Sequence, residues 1–100
     1  MKKIIQVSRE LEDIVPRFLA NRYREVPLLH SAVESADFAM LEILGHKLKG
    51  TAGGYGFFEL GEIASRLEKA AEQRSLPLVK ESVTEFENHL GEVQIQYVDE

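Results

Sequence analysis

Cysteine is missing from this chain, so it has neither a disulfide framework nor a thiolate metal site, and a reducing cytoplasm suits it. Long apolar runs are missing too. No stretch approaches the ~18 residues of a membrane span, and the opening Met1-Lys2-Lys3-Ile4-Ile5 is too short in apolar residues for a secretory signal. Positive charge is the scarcer sign: 12 Lys and Arg against 17 Asp and Glu leave a net charge of −5. Nucleic-acid phosphates would repel such a chain unless it carried a concentrated basic face, and the Lys47/Lys49 pair is too small to be one. Strand-like alternation is scarce as well. Val93-Gln94-Ile95-Gln96-Tyr97 alternates, but a helical spacing also runs through it.

What is present is helical periodicity. One hundred residues, 44% hydrophobic and 29% charged, fit one soluble domain over residues 1–100 with one core. Residues 1–7 read as a short extended or irregular lead-in. Ser8 is a candidate cap for a brief turn at 9–12, and Asp13 is a candidate cap for a helix near Ile14 with Pro16 in its first turn. Val15, Leu19, Tyr23, Val26, Leu29 and Val33, with Ile14 and Phe18 beside them, recur at three-and-four spacing. The pattern passes through Pro27, which predicts one bent helix. Ser35-Ala36-Asp37 breaks it and offers caps for the next helix, which runs to about Gly53. The Gly53-Gly54-Tyr55-Gly56 stretch supplies a left-handed stop.

A third helix starts near Phe58 and buries Leu60, Ile63, Ala64, Leu67, Ala70 and Ala71, with Ser65, Glu68, Lys69 and Glu72 mostly outward. Ser75-Leu76-Pro77 opens the last helix, whose stripe is Val79, Val83, Phe86, Leu90, Val93 and Tyr97. Four amphipathic helices with short loops predict an all-α, antiparallel up-down four-helix bundle with a short N-terminal lead-in. Leu44, Leu48, Leu67, Val83, Phe86 and Leu90 are its expected core.

The second helix carries the chemistry. At roughly 100° per residue, Leu41, Leu44, Leu48, Ala52 and Tyr55 share the core side. His46 points nearly opposite, with Glu42, Lys49, Gly50 and Gly53 around it. A glycine inside a helix costs about 1 kcal/mol relative to alanine, so two beside one exposed imidazole point to a ring kept accessible. A neutral imidazole nitrogen is a good nucleophile near pH 7. It needs no triad if the group it attacks is activated elsewhere. Lys49 at i+3 shares its face and can offset the charge of an anionic group, while Gly50 at i+4 leaves an approach path open. Gly53 and Gly54 read as helix termination, Gly45 as a site of close helix packing, and His30 and His89 as surface residues.

The segment His46-Lys47-Leu48-Lys49-Gly50-Thr51-Ala52, closed by Gly56, resembles the phosphoacceptor motif of histidine-containing phosphotransfer domains. The Ala36-Asp37-Phe38 lead-in and the Leu67-Glu68 pair extend the likeness over residues 10 to 92. Gly45 departs from the family's frequent Ala. Phe57 departs from a common small residue and would bear on the docking surface. The resemblance implies that His46 is the phosphoacceptor, through Nε2, that Lys49 contacts the phosphoryl group, and that Gly50 gives a receiver access.

By the same resemblance the chain is a covalent phosphoryl carrier rather than an enzyme, a cytoplasmic monomer with no cofactor of its own. Its partners would be response-regulator receiver domains or a sensor histidine kinase, the receiver supplying Mg²⁺ and the acidic residues that hold it. Nucleic acid and membrane are not among the expected partners. Two other classes are compatible with the residues. One is a helical adaptor or dimerisation module with an incidental histidine; the other is the phosphoacceptor domain of a chemotaxis-type histidine kinase, which would require further domains.

Overall fold

The computed structural model describes residues 2–99; Met1 and Glu100 of the expected 1–100 domain lie outside the described residues. Four helices make up most of it: α1 (Val15–Glu34), α2 (Phe38–Gly54), α3 (Phe58–Glu72) and α4 (Leu76–Glu92). Each packs on the next and α4 packs back on α1, which closes the bundle. Two short strands flank it, β1 (Lys3–Ser8) and β2 (Val93–Val98), with a 3-10 turn at Arg9–Leu11 after β1.

Local chemistry sets most boundaries. The Ser8 hydroxyl accepts from the Glu10 N–H at 3.3 Å and opens the 3-10 turn. The Asp37 carboxylate accepts from Met40 N–H at 3.1 Å and the Ser75 hydroxyl from Leu78 N–H at 3.4 Å, so both residues cap their helices through an otherwise unpaired donor. The left-handed residue after α2 is Gly56 (φ 85°), the conformation that glycine adopts without a Cβ penalty. Gly53 and Gly54 instead belong to the last turn of α2. Asp13 does not cap α1: the N-cap is Ile14, with no side-chain hydrogen bond, and Pro16 fills the first turn where a missing N–H costs nothing. The helix continues through Pro27 as one element.

Two expectations about phase and length are corrected. α1 buries Val15, Phe18, Arg22, Val26, Leu29 and Ala32, so its inward face is turned from the apolar stripe: Tyr23 is exposed while Arg22 is buried. Arg22 is accommodated because its Nη2 donates to Glu25 Oε2 at 3.2 Å and its guanidinium lies 4.8 Å from the Phe18 ring centroid. The last helix stops at Glu92, and Val93–Val98 pairs in parallel with β1, Lys3 opposite Val93 through Ser8 opposite Val98. A helical spacing continues from Leu90 to Val93 and Tyr97, but Val93, Ile95 and Tyr97 also alternate as a strand. The partner strand decides between them, because only in the extended form do these residues complete a ladder with Lys3–Ser8.

The six expected core residues are all buried, Leu48 at 1% and Leu67 and Phe86 at 0% exposure. Phe57 is fully buried as well, stacked on Phe18 with ring centroids 4.9 Å apart, so it anchors the α2–α3 turn and forms no part of an outer surface. The aromatic cluster and the short turn fix α3 against α2, and that pairing positions the residues around His46.

Candidate functional site

His46 lies mid-way along α2, with its side chain 70% exposed. Leu44 and Leu48, two residues to either side, are buried, so the core contacts of α2 fix which way the ring faces. The neighbour that completes the site comes from α3. Glu68 Oε2 is 2.8 Å from His46 Nδ1, and its other oxygen, Oε1, is 2.9 Å from Lys49 Nζ. The Glu68 side chain is only 12% exposed, against the outward position its helical spacing predicts. The correction is geometric: α2 lies close enough to α3 for this carboxylate to be enclosed between them.

The Lys49 ammonium beside Glu68, followed by the His46 ring, holds the Glu68 carboxyl below the usual glutamate range, against the opposing effect of its burial. An ionised carboxylate only accepts hydrogen bonds. Nδ1 of a neutral His46 therefore carries the hydrogen and donates it to Glu68, which leaves the lone pair on Nε2. Among the described residues Nε2 has no hydrogen-bond partner. The arrangement thus presents an imidazole lone pair to solvent, with a half-buried anion behind the ring and a cation one turn away.

Beside the ring lies an open hollow of about 530 Å³, lined by Ala39, Glu42, Ile43, His46, Lys47 and Glu68. Ile43, one turn before His46, is 56% exposed and gives this surface an apolar component. A Cβ placed on Gly50 would meet nothing within 4 Å, so the next turn of α2 is open. Gly45 is the opposite case. A Cβ there would stand 2.9 Å from Glu68 N and 3.1 Å from Glu68 Cα, so its lack of a side chain lets the two helices approach.

The structure brings Lys49 to Glu68 rather than to His46 itself, and leaves Gly50 on the exposed surface without a role in the hydrogen-bonding. Glu68 is the site residue that helical spacing alone misses, 22 positions from His46; the Leu67-Glu68 pair was the available signal. The other histidines stand apart. His30 is exposed, with Nε2 2.9 Å from Glu87 Oε1. His89 is not the surface residue expected: it is buried at 3% exposure, because α4 turns it inward beneath Lys3 and Glu59.

A closed four-helix bundle carrying one solvent-facing histidine on its second helix defines a class, that of helical histidine modules. The family comparison makes it specific. The Hpt domain model matches residues 13–96, and the chain belongs to this family of phosphocarrier modules of two-component signalling, which interact with receiver domains and kinases. No curated protein and no solved structure gives a significant match. Among the described residues no helix is long and apolar enough to cross a membrane.

Proposed function

We propose that this chain is a phosphorelay intermediate in which His46 accepts a phosphoryl group from a receiver-domain aspartyl phosphate and passes it to a second receiver. The observation that carries this reading is the hydrogen bond from Nδ1 to Glu68, which leaves Nε2 as the free nucleophile on an exposed ring.

In the forward step the Nε2 lone pair attacks phosphorus in line with the bond to the aspartate oxygen. An N–P bond forms, the O–P bond breaks, and the carboxylate leaves with the electron pair. The ring becomes positively charged as it is phosphorylated, and the Glu68 carboxylate lies 2.8 Å away on Nδ1 to offset that charge. Return to a second receiver reverses the step.

Lys49 contributes a cation near the transferred group. Its Nζ rests on Glu68, one helical turn from His46, within reach of a phosphoryl group as the partner docks. A unit charge pair at 4 Å is worth about 1 kcal/mol in water and about 4 at an effective dielectric of 20; a site covered by a docked partner lies between. Gly50 keeps the approach open, and the hollow with exposed Ile43 offers the receiver an apolar contact. The metal and its acidic ligands belong to the receiver, so this chain acts as carrier and the partner supplies the catalytic groups.

The test is phosphoryl uptake from a phosphorylated receiver. His46→Gln should abolish acid-labile label while leaving the melt nearly unchanged, as an exposed position allows. His30→Gln should retain full uptake. Label retained by the His46→Gln protein would overturn the proposal.

A further inference from the structure

The approach of α2 to α3 is closest, of the glycine positions, at Gly45, the residue before His46. The three atoms nearest to a Cβ added there would all be backbone: Glu68 N at 2.9 Å, Glu68 Cα at 3.1 Å and the Ala64 carbonyl oxygen at 3.2 Å. Backbone cannot rotate aside as a side-chain tip can, and ordinary contacts begin near 3.4 Å. An alanine at 45 must therefore move the Glu68 backbone and α2 apart, by about 0.5 Å to reach ordinary contact, the difference between 3.4 and 2.9 Å. Gly61, at the same helix pair, is different: an added Cβ would sit 3.7 Å or more from its nearest neighbours, in ordinary contact.

Glu68 spans its two partners from this backbone position, with 2.8 Å to His46 Nδ1 and 2.9 Å to Lys49 Nζ. A shift of half an ångström is enough to spoil a preorganised hydrogen bond of this kind. We infer that Gly45 is a positioning residue: by bringing the Glu68 backbone against α2, it sets the His46–Glu68 hydrogen bond and so keeps the lone pair on the outward Nε2. The inference rests on His46 being the phosphoacceptor only for its functional consequence. The structural link itself is independent of that reading.

The free protein tests the link without phosphate. Long-range ¹H–¹⁵N correlation spectra of the imidazole report which ring nitrogen bears the hydrogen. In the wild type His46 should be mainly Nδ1–H. Gly45→Ala should shift it mainly to Nε2–H, and Gly61→Ala should leave it unchanged.

Coupling through Glu68 has a second signature. Glu68→Ala alone should lose the Nδ1–H form, and adding Gly45→Ala should change the tautomer no further. Transfer rates should follow the same pattern, with the double variant as slow as Glu68→Ala alone.

Glu68→Asp makes the same test with Gly45 intact, which matters if Gly45→Ala does not fold. Its carboxylate is one methylene shorter, and it should also lose the Nδ1–H form if backbone reach is what counts. A Gly45→Ala protein that is folded and keeps Nδ1–H, or a Glu68→Asp protein that keeps it, would overturn the inference. A tautomer that shifts as expected while His46→Gln still takes up label would leave the link standing and remove the phosphotransfer reading.

Discussion

Glu68 holds the inner edge of the His46 ring at 2.8 Å, leaving the outer nitrogen with a free lone pair. The carboxylate also carries Lys49 on its other oxygen, at 2.9 Å. One acidic residue from α3 thus orients the ring and holds the nearby cation, and in the proposed transfer it would offset the charge that phosphorylation places on the imidazole.

Replacing Glu68 by Ala should therefore slow uptake without abolishing it. A hydrogen bond to a charged group contributes about 1.5–3 kcal/mol, which corresponds to about a tenfold to hundredfold loss of rate. Single-turnover transfer from a phosphorylated receiver measures it. A rate within twofold of the wild type would show that Glu68 plays no part in transfer.

Lys49→Ala should slow transfer more than Lys47→Ala. Lys49 is one turn from His46 and paired with Glu68, whereas Lys47 points about 100° away around the helix, although it lines the hollow beside the ring. Equal losses from the two variants would mean that both lysines act through long-range attraction of the partner. The salt dependence of the two rates gives an independent check, since exposed long-range attraction is screened.

At Gly50 stability and transfer should separate. Nothing lies within 4 Å of an added Cβ, so Gly50→Ala should stabilise the bundle by about 0.4–1 kcal/mol through the unfolded chain and raise the melting temperature by a few degrees. In the proposed docking the same side chain would stand on the partner's path, so transfer should slow, and Gly50→Gln should slow it much further while remaining folded. A folded Gly50→Gln protein with normal transfer would show that the path lies elsewhere.

His89 gives the bundle a pH dependence unrelated to transfer. It is 3% exposed, both ring nitrogens lack a hydrogen-bond partner, and Nδ1 approaches Glu59 Oε2 at 2.8 Å without the alignment for a bond. Burial holds the ring's pKa below the usual imidazole value, with Glu59 opposing that effect. Below about 6.5 the unfolded ring takes up a proton that the folded ring refuses. Stability should therefore fall as pH drops from about 6.5 toward the lowered folded value, by at most about 1.4 kcal/mol per pH unit. Urea melts at pH 7.5 and 5.5 measure the slope. His89→Leu should flatten it, and an unchanged slope in that variant would assign it to other groups.

Much of this architecture is legible in the residues in order. The apolar spacing of Leu41, Leu44, Leu48 and Ala52 places the core side of α2 and therefore the outward face of His46. The caps Asp37 and Ser75, and Gly56 after α2, are local signals because their partners lie within a few residues. The Hpt motif at His46–Ala52 is a matter of neighbours on one helix for the same reason.

What only the tertiary structure decided are the contacts between distant parts of the chain. Glu68 reaches His46 across 22 positions because α3 folds against α2, and no period along α3 distinguishes that carboxylate from its outward neighbours. Arg22 turns inward where Phe18 and Glu25 accommodate its charge, so the packing overrode the simple apolar stripe of α1. Val93–Val98 leaves the helical period when Lys3–Ser8, some ninety residues away, arrives to pair with it. Helical phase and caps depend on energies between near neighbours, which sequence order contains. A strand ladder, a buried charge and a carboxylate behind a histidine depend on groups that become neighbours only when the chain closes on itself.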